Sequence, residues 1–130
     1  MASPQLCNDK MIMIRLWIHE CMWVFHDRLA TKDDWEWFKT YMIELIEEQF
    51  KEKFEYKDIF EDKQILFGNY MKWGLPHSDW KYEEVNDYQR FEKVMSEYVE
   101  EYNIEYPNTK LELVLFKDAL SHISRISRIL

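Results

Sequence analysis

The sequence predicts an all-α protein with at most minor extended segments, and three observations predict it. Apolar residues recur at steps of three and four along three long stretches, the spacing of one helix face. Residues that cap helix starts stand just ahead of those stretches. Glycine occurs twice and proline three times in 130 residues. That is too few for most small β-barrels and sandwiches, which need a turn about every 8–12 residues. A chain of this length is about one domain. With 47% hydrophobic and 17% aromatic residues, it has the apolar surface for a real core.

The first helix is expected over about Asn8 to Leu29, with Asn8 or Asp9 as its cap. Ile14, Ile18, Cys21, Phe25 and Leu29 form its stripe, and Trp17, Met22 and Val24 widen the apolar arc. Thr31 reads as the next N-cap, with Asp34 three residues on as a weaker capping box. A second helix follows from about Lys32 to Phe50, fraying toward Phe54, on Trp35, Phe38, Met42, Leu45, Ile46 and Gln49. Two or three linking residues make these helices neighbours.

Residues 51–86 are the least regular part. Ile65 to Met71 is an apolar plug ending in a turn at Gly68-Asn69, residues 73–81 form a loop around Gly74 and Pro76, and Tyr82 to Val85 is a short extended piece. Asn86 or Asp87 caps a third helix carrying Tyr88, Phe91, Met95, Tyr98 and Tyr102. Asn103 to Asn108 breaks it, with Pro107 as the stop. Leu111 to Phe116 favours strand but is too short to decide. From Lys117 a last helix places Leu120, Ile123, Ser127 and Leu130 on one face. Ala119, Ile126 and Ile129 lie on a second. Two apolar faces on the final helix lead us to expect that the chain is cut there and that something further packs on it.

Charge narrows the functions. The net charge is -8, and between residues 31 and 66 eleven Asp or Glu face six Lys or Arg. An acidic middle repels phosphate backbones and anionic lipid, so neither nucleic acid nor membrane is an expected partner. No run of apolar residues is long enough to span a bilayer, and the start lacks a signal-peptide layout. Cys7 and Cys21 make no disulfide framework. Together these point to a soluble protein in a reducing compartment.

Chemical constellations are weak. His19-Glu20 opens a zinc-helix motif whose second ligand belongs at position 23, which is Trp. His26 lies two turns from His19, about 10 Å along the axis, too far to share one ion. No metal site is expected. His122 beside Ser121 and Ser124 is not a catalytic arrangement, because geometry rather than adjacency makes one. A small helical enzyme using His19, His26 or His122 is therefore the least supported class. The two glycines stand too far apart for a phosphate loop.

The stretch Arg15-Leu16-Trp17-Ile18-His19-Glu20-Cys21-Met22-Trp23-Val24-Phe25-His26-Asp27-Arg28-Leu29 says more. It resembles the dynein heavy chain family of AAA+ microtubule motors, where the pattern is approximately R-L-W-x-H-E-x-x-R-V-F-x-D-R-L. Leu66-Phe67-Gly68-Asn69-Tyr70-Met71 is similar to that family's L-F-G-(D/N)-(Y/F)-M turn. Glu101-Tyr102-Asn103, Leu113 to Leu120 and His122 to Leu130 continue the likeness in order, and its details are similar to axonemal members.

The resemblance implies a helical AAA+ lid followed by a long connecting helix. Residues 1–85 would be most of the lid of the third AAA+ module, and residues 86–130 the lead-in to the fourth, ending before its phosphate loop. It implies a mechanical coupling segment of a motor ring, not an enzyme in itself and binding no cofactor alone, with ATP or ADP and Mg in the parent motor. Its partners would be neighbouring AAA+ modules, with microtubules and other dynein subunits reached through the parent protein. It implies cytoplasm and cytoskeleton, in the axoneme of a cilium or flagellum.

Trp17, His19, Glu20 and Arg28 match the lid motif. Trp23 stands where the family usually has an arginine that senses nucleotide phosphate, and an indole cannot fork a phosphate as a guanidinium does. Trp23 is either a lost sensor or a residue that fills core space. Val114, Leu115 and Phe116 would supply part of the adenine wall of the next module. The rival reading is a free-standing helical protein-interaction module from a truncated dynein-like gene.

Overall fold

The computed structural model describes residues 8–61, 65–72 and 74–129. Cys7 and Leu130, which figure in the expectations above, lie outside them. Among the described residues, five α-helices and one two-stranded sheet make an all-α fold with a minor extended element. The chain forms two compact units that divide between Ile65 and Leu66.

In the first unit, α1 spans Lys10–Val24. Asp9 caps it, its Oδ1 accepting from the Met11 and Ile12 N–H groups at 2.8 and 3.3 Å. Its buried residues are Ile14, Ile18 and His19. The helix ends well before the expected Leu29. A 3₁₀ turn over His26–Arg28 follows, and Leu29 is extended at φ -76° and ψ 139°. Thr31 is extended too (φ -111°, ψ 152°), as an N-cap requires. The Trp35 indole N–H fixes that bend by donating to the Leu29 carbonyl at 2.7 Å. Phe25, expected on the buried stripe, is consequently 56% exposed.

α2 runs over Lys32–Leu45. The Thr31 hydroxyl accepts from the Asp34 N–H at 3.2 Å and donates to the Asp34 carboxylate at 2.6 Å. A π turn over Ile46–Phe50 continues it. It stops at Lys51, whose φ of 59° is left-handed. Met42 and Ile46 are its buried residues. A short helix that periodicity did not reveal, α3, spans Tyr56–Phe60 and buries Ile59.

In the second unit, β1 (Phe67–Gly68) pairs antiparallel with β2 (Glu83–Glu84), Phe67 opposite Glu84 and Gly68 opposite Glu83. The Val85 N–H extends the pairing to the Leu66 carbonyl at 2.8 Å. α4 spans Tyr88–Glu105, capped by Asp87, whose Oδ1 accepts from the Arg90 N–H at 3.1 Å. It runs through Asn103 and stops only at Tyr106. That residue precedes Pro107, and the proline ring disfavours helix in the residue before it.

The Asn103 amide then holds the returning chain twice. Its Nδ2 donates to the Leu111 carbonyl at 2.9 Å, and its Oδ1 accepts from the Leu111 N–H at 2.7 Å. The run after it, Leu111 to Phe116, forms no strand. α5 spans Lys117–Ile129. It buries Leu120, Ser121 and Ser124 while Ile126 and Ile129 stand exposed. Of the expected second apolar face, Ile126 and Ile129 therefore point outward and Ala119 is half-buried, while Ser121 and Ser124 point inward beside Leu120. The core of this unit is Leu66, Phe67, Tyr70, Met71, Val85, Phe91, Val94, Met95 and Leu120.

Candidate functional site

The residues singled out on the first helix occupy α1 and the turn after it. His19 is completely buried. Its Nδ1 lies 3.0 Å from the Ile65 carbonyl oxygen. That oxygen can only accept, so Nδ1 carries the proton. Trp23 sits one turn further along. Positions four apart share a helix face, and the two rings lie 4.4 Å apart at 50°. The half-buried indole covers the imidazole within the first unit.

Trp17 points elsewhere, its ring edge-on to Phe50 with centroids 5.4 Å apart. Glu20 is half-buried. Beside it, burial first and the Glu20 charge second push the Cys21 thiol above its ordinary pKa, so the thiol stays protonated and weakly nucleophilic. Arg28 is exposed on the 3₁₀ turn. The geometry thus brings His19 and Trp23 together and sets Trp17 against a different partner.

No family profile matches the chain, but individual proteins do. It is 42% identical over 132 residues to dynein axonemal heavy chain 1 of mouse, covering 100% of this chain and 3% of that one. It is 35% identical over 133 residues to human dynein axonemal heavy chain 10, covering 100% and 3%. It is 32% identical over 129 residues to human dynein axonemal heavy chain 6, covering 99% and 3%. The chain belongs to the dynein heavy chain family, axonemal type. It spans about 3% of the length of these curated relatives.

In this dynein segment the residues proposed for an adenine wall lie between the Asn103 clamp and α5. Val114 is 80% exposed and Phe116 58% exposed, while Leu115 is half-buried. They present apolar surface and backbone groups. The Phe116 carbonyl already accepts the Leu120 N–H at 2.9 Å in the first turn of α5.

Among the described residues, no group of three or more His, Cys, Asp or Glu is placed to hold a metal ion. His26 is half-buried between Trp35 and Phe38, its ring centroid 5.8 and 6.0 Å from theirs. His122 is exposed. No described helix is long and apolar enough to cross a membrane.

Two polar arrangements escaped the sequence reading. On α2, the Glu36 carboxylate accepts from the Tyr56 hydroxyl and from Lys39 at 2.9 Å. The tyrosine bond first and the lysine second hold Glu36 below its ordinary carboxyl pKa. The i, i+3 spacing of Glu36 and Lys39 signalled half of this; Tyr56 is twenty positions away. In the second unit, the Tyr70 and Ser124 hydroxyls share a buried hydrogen bond. Burial pushes the Tyr70 phenol up to about 12, against the opposing effect of the Ser124 bond. No local spacing signals this pair, whose members lie 54 positions apart.

Proposed function

We propose that this dynein heavy chain segment is a mechanical coupling element of a motor ring. Residues 1–85 are the helical lid of the third AAA+ module and residues 86–130 lead into the fourth. Lids of this kind transmit the state of one nucleotide site to the next module as rigid helical bodies. The observation that carries the reading is the end-to-end likeness to several different axonemal heavy chains. Its partners are then the neighbouring modules of the same chain. Microtubules and other subunits are reached through the parent protein, which works in the axoneme.

On this reading the segment has no catalysis of its own. Phosphoryl transfer needs a phosphate cradle and groups that hold Mg²⁺ and water, and two distant glycines cannot build the cradle. ATP in the parent supplies binding energy that moves the ring. Exposed Val114 and Phe116 fit one apolar wall of an adenine pocket completed by residues outside this chain. Trp23 is engaged in packing on His19, which supports a lid that lacks an arginine's grip on phosphate.

Calorimetry of the 130-residue chain with ATP and Mg²⁺ tests this: no binding heat and no phosphate release are expected. Micromolar binding or sustained turnover overturns it. In the parent heavy chain, Trp23→Arg is expected to tighten nucleotide binding at the site this lid covers. Unchanged affinity there would make Trp23 a packing residue alone.

A further inference from the structure

α5 buries two serines on the same side as Leu120. Its inward residues include Ser121 and Ser124, at 6% and 1% exposure, while Ile126 and Ile129 stand out at 57% and 83%. A buried hydroxyl costs free energy unless it is hydrogen-bonded, so the serines on this face need polar partners. The group that Ser124 meets is the Tyr70 hydroxyl.

Tyr70 is not able to follow α5 to another setting. Its ring stacks on Phe91, centroids 4.9 Å apart and planes 14° from parallel. It also closes so tightly over Gly68 that a Cβ there would sit 2.3 Å from ring carbons. Its carbonyl accepts from the Tyr98 hydroxyl at 3.3 Å. A phenol held on these sides offers its oxygen at one point. Shifting α5 by one residue turns it by about 100° and carries Ser124 away from that point.

We propose that the Tyr70–Ser124 hydrogen bond is a roll pin: among the rotational settings of α5, it selects the one that buries Ser121 and Ser124 and turns Ile126 and Ile129 outward. Fixing register is the best-attested use of a buried polar group, and it is paid in stability. The pin concerns packing within residues 66–129 and stands whether or not the ring placement above holds.

The test is methyl NMR of the 130-residue chain with a soluble paramagnetic relaxation agent. Wild-type Leu120 methyls are expected to be protected and those of Ile126 and Ile129 strongly relaxed. The deciding variant is Tyr70→Phe with Ser124→Ala, which removes both hydroxyls and leaves no orphaned group. With helix content unchanged by circular dichroism, the protection ratio between Leu120 and Ile126 is expected to fall about fivefold, the population change worth one hydrogen bond. A double variant that keeps the wild-type ratio overturns the pin. Should that variant fail to fold, Tyr70→Phe alone is read the same way, since a lone Ser124 hydroxyl can bond back to its own helix.

Discussion

In residues 8–61, α1 and α2 start on the capping side chains of Asp9 and Thr31 and bury aliphatic stripes, Ile14 with Ile18 and Met42 with Ile46. Residues 66–129 instead gather around an irregular plug, Leu66 to Met71, against which α4 sets Phe91 and α5 sets Ser124. In the first unit the local sequence decides most of the structure. In the second, contacts between distant residues decide it, and a single ring, Tyr70, touches three elements.

The difference predicts where substitutions hurt. Phe91→Ala should cost the most, about 3–5 kcal/mol, because it empties a fully buried position and removes the stack under Tyr70. Urea unfolding measures it; a cost near that of a surface change would remove the plug from its central place. Gly68→Ala should cost about 2–3 kcal/mol, because the new Cβ meets the Tyr70 ring. Gly74→Ala is the control. Nothing lies within 4 Å of its Cβ, so only its φ of 77° resists, costing about 1–2 kcal/mol. Equal losses at the two glycines would mean that backbone conformation, rather than the ring, sets the requirement at Gly68.

Caps come next. Thr31→Ala and Asp87→Ala should each cost about 1 kcal/mol in the same assay, and similar values would show that helix starts matter alike in both units. The smallest effect concerns pH. Glu36 has a depressed pKa in the folded chain, so its contribution is present above the ordinary carboxyl value of about 4.3 and lost as pH falls through the folded value. The gap in urea midpoint between wild type and Glu36→Gln should be open at neutral pH and closed in acid. A gap independent of pH would break the assignment.

Legibility in the sequence follows the same division. Asp9, Thr31 and Asp87 were readable as caps because a cap acts within three residues. The stripe through Ile14 and Ile18 was readable because helix geometry repeats. The stripe failed at Phe25, where α1 gives way to the 3₁₀ turn over His26–Arg28. On α5 the face through Leu120 and the outward second face of Ile126 and Ile129 were readable, but the burial of Ser124 was not, because its partner Tyr70 lies 54 positions away. The lid motif was visible as a pattern, and one reading of Trp23 was that it fills core space. Its partner His19 was visible as part of that motif, but the bond it makes in the core reaches 46 positions to Ile65.

The two-way grip of the Asn103 amide on Leu111 makes residues 104–110 a tethered ring hung from the end of α4. Closure entropy grows only with the logarithm of circumference, so extra residues threaded in near Pro107 should leave both anchor points undisturbed. That places a natural port for an epitope or a fluorescent reporter at residues 107–109, away from the buried side chains that hold the fold.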